Sequence, residues 1–237
     1  QGMRPLRTIS VLPTLFTLGN LVCGFFAIVL ASRVGAPDSL PARPEDLRNV
    51  MLSGWLIFVA MIFDGLDGHV ARLARITSDF GAQLDSLCDA VSFGVAPAFL
   101  LVKMCPRFAY LHNEAVWIIA AFFAACAALR LARFNVETSD EDEHLYFSGL
   151  PSPGAAGAIA GFAIIFYTLM GKDEPQLAPA HAVQIYGVLQ SALPYFAILV
   201  ALLMVSRIRY PHVVNQVFRG QRSFGHIVKL VFALVAV

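Results

Sequence analysis

Six apolar stretches, each close to the length of a bilayer-crossing helix, recur along this chain and leave it few ways to fold. They run from about Leu12 to Ser32, from about Val50 into a cluster of aspartates, from near Gly81 to Met104, from Ala115 to Asn135, from Pro153 to Met170 and from Ile185 to Val205. A helix needs roughly 20 residues to cross the hydrocarbon core. In lipid only helices and closed barrels satisfy every backbone polar group. A transmembrane barrel would show segments of about ten residues with alternating polarity, and these runs do not alternate. The chain is therefore expected to be all-α, a polytopic transmembrane helical bundle with six spans. Only 14% of the 237 residues are charged, against about 25% in soluble domains. No polar segment is long enough for a second soluble domain. Residues 1–237 are expected to form one integral membrane domain, with residues 1–11 as a cytoplasmic N-terminal segment. The first apolar run continues into a full span without a cleavage-like site, so no cleavable leader is expected. A further apolar stretch, Phe224 to Val237, is short for a span and reads as an incomplete helix, an interfacial helix or a dimer contact.

The connections carry turn formers and charge. Residues 34–49 hold Pro37, Pro41 and Pro44, while 138–143 and 171–181 are acidic, and all three read as solvated loops. Arg4, Arg7, Arg72, Arg75, Arg130, Arg133, Arg207, Arg209, Arg219 and Arg222 fall on one side of the six-span topology. Arg33, Arg43, Arg48, Lys103, Arg107 and Lys172 fall on the other. The richer side is expected to be cytoplasmic. That puts the N-terminus, the short loop after the second span and the ends of spans two, four and six in the cytoplasm. A net charge of +1 advertises no nucleic-acid surface. Cys23, Cys88, Cys105 and Cys126 lack metal-type spacing and read as small buried hydrophobes.

Four carboxylates break this apolar pattern. Asp64 and Asp67 are three residues apart near the end of the second span, and Asp85 and Asp89 are four apart near the start of the third. Such spacings put each pair on one helical face. A short turn makes the two helices antiparallel neighbours, so the pairs lie at one depth and can face each other. Charged groups within a membrane are costly and mark functional sites. Four converging carboxylates cannot all stay ionised without compensating cations. Hard oxygen donors select Mg2+, Mn2+ or Ca2+ over zinc or copper. Gly65, Gly68 and Gly81 lack side chains beside them, which suits either close approach of a phosphate or close helix packing. Arg72 can bind phosphate through its planar fork. His69 reads as a rim residue.

Asp64, Asp67-Gly68, Ala71-Arg72, Gly81, Asp85 and Asp89 together reproduce the signature of the CDP-alcohol phosphotransferases. Residues 13–28 (PTLFTLGNLVCGFFAI), 89–98 (DAVSFGVAPA), 128–136 (ALRLARFNV) and 147–157 (FSGLPSPGAAG) further resemble the phosphatidylserine synthases of bacterial and archaeal membranes. The resemblance implies transfer of a phosphatidyl group from CDP-diacylglycerol to the hydroxyl of L-serine, with release of CMP. It implies a two-ion centre on Asp64, Asp67, Asp85 and Asp89, with Asp89 also the general base. It implies CDP binding by Asn20, Asp67, Gly68, Ala71, Arg72, Ser78 and Gly81. It also implies a homodimer in the cell's inner membrane, surrounded by membrane lipids, with its site facing the cytoplasm.

The acceptor needs contacts of its own. Arg130 and Arg133, three apart on the fourth span, can share a face and bind a serine carboxylate or a lipid phosphate, with Ser92, Asn135 and Ser148 adding polar contacts. Glycerol-3-phosphate or inositol phosphate would call on the same arginines, so another acceptor within the family is the alternative. An ion or metal transporter is the alternative from a different class, motivated by intramembrane carboxylates alone.

Overall fold

The computed structural model describes residues 11–35, 44–74, 79–137, 147–170, 180–206 and 209–210. Helix α1 is Val11–Ser32 and α2 is Pro44–Ala74. Helix α3, Asp79–Asp89, passes through a π-helical turn at Ala90–Val95 into α4, Ala96–Met104. Helix α5 is Pro106–Glu137, α6 is Ser152–Leu169 and α7 is Ala180–Val205. Six stretches are long and apolar enough to cross a membrane: Pro13–Ser32, Pro44–Val70, Phe80–Met104, Glu114–Val136, Ser152–Leu169 and His181–Val205. The expected all-α bundle of six spans is what forms. The acidic stretch 138–143 and the segment Phe224 to Val237 lie outside the described residues.

Three helices begin earlier than their apolar runs. Pro44, expected in a loop, is the first residue of α2, and Glu45 and Asp46 fill its first turn. Proline suits the first helical position because its missing N–H has no partner there anyway, and acidic side chains oppose the positive helix end. Pro106 starts α5 in the same way, and α7 starts at Ala180. Hydropathy registers only the part of a helix that meets lipid. With 31 residues, α2 rises about 46 Å, well beyond a hydrocarbon core of roughly 30 Å. Asp64 stands 20 residues after Pro44 and so about 30 Å along the helix, at the opposite membrane boundary.

The third span is the central one. Over its apolar stretch 67% of the residues are buried, against 28% in α1 and in α2. Its exposed counterparts elsewhere, such as Leu15, Phe25, Ile62, Trp117, Ile118 and Val188, point outward as lipid-facing side chains do. The π-helical turn was not foreseen. There Ala96 N–H bonds to the carbonyl of Val91, five residues back. Pro97 follows directly; its ring would collide with the carbonyl four residues before it in a regular helix, and the wider turn relieves that clash.

Small residues set the spacing of α2 and α6. A Cβ on Gly54 would stand 2.9 Å from the Ala160 carbonyl oxygen, and one on Gly157 would stand 2.9 Å from Met61 Cε. Glycines and alanines let membrane helices approach this closely. Just before α6, Phe147–Ser148 pairs antiparallel with Arg209–Tyr210. Gly149 follows at φ 85°, a left-handed conformation, with the Met204 and Ser206 carbonyls where a side chain would be. Leu150 N–H then donates to the Leu203 carbonyl at 3.0 Å, covering one of the open acceptors at the end of α7. This turn delivers Ser152, the first residue of α6, to the end of the bundle that carries the aspartates.

Candidate active site

The aspartates converge as their spacing predicts, but not as four equals. One carboxylate oxygen from each of Asp64, Asp85 and Asp89 lies within 4.8 Å of the others. Asp64 and Asp85 are half-buried, and Asp89 is buried. Asp67 is buried too, and its Oδ2 accepts a hydrogen bond from Thr17 Oγ1 of α1. Asp89 Oδ1 accepts from Asn20 Nδ2, also of α1, at 2.9 Å. Three helices therefore frame the centre: α2 and α3 supply carboxylates, and α1 supplies donors to them.

Bare, this cluster would be unstable. Two unit charges 4.8 Å apart repel by about 3 kcal/mol at an effective dielectric constant near 20. Asp85 Oδ1 is buried and has no hydrogen-bond partner among the described residues. Buried polar atoms are nearly always satisfied, so an orphaned carboxylate oxygen beside two further carboxylates fits a cation ligand. The donors are all hard oxygens, which fits a divalent metal of the Mg2+, Mn2+ and Ca2+ class.

The approach to the cluster is open on the α2 side. Gly65 and Gly68 are exposed, and a Cβ added to either would meet nothing within 4 Å. Among the described residues no helix packs against either position. Gly81 is half-buried at the start of α3, and His69 is exposed, as a rim residue would be. Ala71 and Arg72 belong to α2, but their side chains, like Ser78, lie outside the described residues.

The fourth-span arginines divide. Arg130 stands within electrostatic reach of Asp64 and Asp89. Its Nη1 donates to Ser152 Oγ at 2.8 Å, and its guanidinium lies 5.6 Å from the Phe134 ring centre. Arg133 is half-buried on the same helix. Asn135 is turned to α3, where Nδ2 donates to Ser86 Oγ at 2.9 Å. Ser92 is fully buried in the π-helical turn and donates to the Asn20 carbonyl at 3.0 Å, so it holds helices together instead of meeting an acceptor. The backbone of Ser148 lies in the short strand pairing, and its side chain is outside the described residues. Thr17, Ser86 and Ser152 were not anticipated. A single hydroxyl in a helix carries no spacing signal of its own, and only the three-residue spacing of Thr17 and Asn20 hinted at a shared face.

The sequence is similar to known proteins. The profile of the CDP-alcohol phosphatidyltransferase family matches residues 10–207. A CDP-diacylglycerol–serine O-phosphatidyltransferase of Helicobacter pylori is 31% identical over 211 residues, covering 88% of this chain and 75% of that protein. One of the same name from Methanocaldococcus jannaschii is 34% identical over 216 residues, covering 91% and 81%. An archaetidylserine synthase of Methanothermobacter thermautotrophicus is 32% identical over 212 residues, covering 89% and 73%. With the signature carboxylates gathered at one end of a six-span bundle and the match running through nearly all of it, this chain belongs to the CDP-alcohol phosphatidyltransferase family.

Proposed function

We propose that this chain transfers the phosphatidyl group of CDP-diacylglycerol to the hydroxyl of L-serine, forming phosphatidylserine and CMP. The observation that carries it is the convergence of Asp64, Asp85 and Asp89 within 4.8 Å at the membrane boundary. The names of the three relatives, which share serine and differ in the lipid, support the acceptor.

Asp64, Asp67, Asp85 and Asp89 would hold two divalent ions, Mg2+ or Mn2+ with Ca2+ able to take the same place, whose contribution is to neutralise the pyrophosphate and the departing CMP. The open backbone at Gly65 and Gly68 lets the CDP moiety lie against α2, with Ala71, Arg72, Ser78 and Gly81 completing its binding surface. Asp89 accepts the serine hydroxyl proton. The serine oxygen then forms a bond to the phosphorus that bears diacylglycerol, and the bond from that phosphorus to CMP breaks. A loose phosphoryl-transfer transition state demands little of the base early on, so a carboxylate suffices. No covalent enzyme intermediate is needed. Arg130, already fixed by Ser152, offers its remaining N–H groups to the serine carboxylate, and Arg133 to a lipid phosphate. The Arg and Lys distribution supports a site facing the cytoplasm, and the family resemblance supports the inner membrane and a homodimer.

Purified full chain, given CDP-diacylglycerol and Mn2+ or Mg2+, is expected to release CMP when serine is present. Glycerol-3-phosphate or inositol phosphate in its place is expected to give no release above hydrolysis. Release with one of those and not with serine would move the chain elsewhere in the family. Metal flux into liposomes without CMP formation would favour a transporter.

A further inference from the structure

We propose that α1 is the positioning element of the acidic centre, with Thr17 and Asn20 acting as a two-point clamp on the carboxylates of Asp67 and Asp89. The clamp rests on the transferase function proposed above. Three residues apart, the two side chains share a helical face. Thr17 reaches α2 and donates to Asp67 Oδ2. Asn20 reaches α3 and donates to Asp89 Oδ1 at 2.9 Å. The two helices that carry the signature are thus each tied by one hydrogen bond to the same third helix. Both donors are buried, Thr17 at 4% exposure and Asn20 at 0%.

Each end of the clamp is held. Thr17 Oγ1 also lies 3.1 Å from the Pro13 carbonyl. A hydroxyl has a single proton, and a carboxylate is the stronger acceptor. Asn20 has its own backbone carbonyl bonded by Ser92 Oγ at 3.0 Å. One turn further on, a Cβ on Gly24 would stand 2.8 Å from Ser92 Cα, so α1 is seated directly on the π-helical turn that follows Asp89. Asn20 Oδ1 is buried with no hydrogen-bond partner among the described residues. An asparagine kept only for helix packing would be expected to satisfy both ends of its amide; here the amide nitrogen, directed at Asp89, is the working end. Neither residue belongs to the three-carboxylate cluster, so both position and do not catalyse. Donors behind metal-holding carboxylates fix ligand direction, and their loss costs about 10- to 100-fold in metal affinity or activity.

The test compares Thr17→Val and Asn20→Leu with wild type, Thr17→Ser and Ser53→Ala. Ser53→Ala removes a different α1–α2 hydrogen bond, Ser53 Oγ to the Ala27 carbonyl at 2.8 Å, which lies away from the centre. Two quantities are measured on the full chain in detergent: the Mn2+ concentration giving half-maximal thermal stabilisation without substrate, and kcat and KM for CDP-diacylglycerol. Thr17→Val and Asn20→Leu are expected to raise the Mn2+ midpoint by about 10-fold or more and to lower kcat comparably while KM changes little. Thr17→Ser is expected to restore both, and Ser53→Ala to change neither. If Thr17→Val does not fold, Thr17→Ala takes its place. Variants that titrate Mn2+ as wild type does would overturn the clamp. So would equal effects from Ser53→Ala, or an Asn20 effect confined to KM, which would make it a nucleotide contact. Wild type that neither responds to Mn2+ nor releases CMP would instead remove the transferase function on which the clamp depends.

Discussion

The two walls of the acidic centre are built in opposite ways. On the α2 side, Gly65 and Gly68 are exposed, and a Cβ on either would meet nothing within 4 Å among the described residues. On the α3 side, Asp89 is buried, bonded to Asn20, and followed by a π-helical turn pressed against Gly24 of α1. One wall admits and the other holds. A site that must accept a bulky CDP-lipid and still fix a proton acceptor needs both, because alignment fails if the holding wall yields and binding fails if the admitting wall closes.

The largest expected effect comes from the holding wall. Asp89→Asn keeps size and shape but removes the proposed proton acceptor and one oxygen proposed to hold metal, and should lower kcat by roughly 1,000-fold or more. CMP release measures this, with an unchanged size-exclusion profile showing that the fold survives. Arg130→Lys comes next. It keeps the charge near Asp64 and Asp89 but loses the planar fork held by Ser152, and should raise KM for serine about 10-fold with a smaller change for CDP-diacylglycerol. Gly24→Ala should then destabilise the protein by about 1–3 kcal/mol, since the new Cβ collides with Ser92 Oγ and also with the Ser92 Cα behind it, a backbone atom that no side-chain rotation can clear. Thermal unfolding in detergent reads this loss. Gly65→Ala is the counterpart on the admitting wall. It should leave thermal stability within about 0.5 kcal/mol of wild type while raising KM for CDP-diacylglycerol a few-fold. If Gly65→Ala destabilised the protein as much as Gly24→Ala, the contrast between the walls would be lost.

What could be read from the chain follows from the range of the forces involved. The six spans were legible because lipid imposes one requirement on every residue of a span. The convergence of Asp64, Asp85 and Asp89 was legible because helical spacing and a short turn dictate it locally. The start of α2 at Pro44 was missed because hydropathy is silent once a helix leaves lipid. The π-helical turn was missed although Pro97 and Gly94 lie in plain sight, because a proline near a helix end reads equally well as an ordinary break. The different state of Asp67, tied to Thr17, and the use of Ser92 in packing depend on contacts between residues 50 and 72 positions apart. No periodicity encodes those. Nor do the four aspartates encode the acceptor, which draws its support from the relatives.

The most direct measurement is CMP release from CDP-diacylglycerol by the purified full chain, run with serine and divalent ion, with each omitted in turn, and with a chelator added. Release that requires both serine and the ion, and that stops on chelation, is the predicted result. Release that persists without the ion, or that ignores serine, would contradict a carboxylate-held metal centre acting in phosphatidyl transfer to serine.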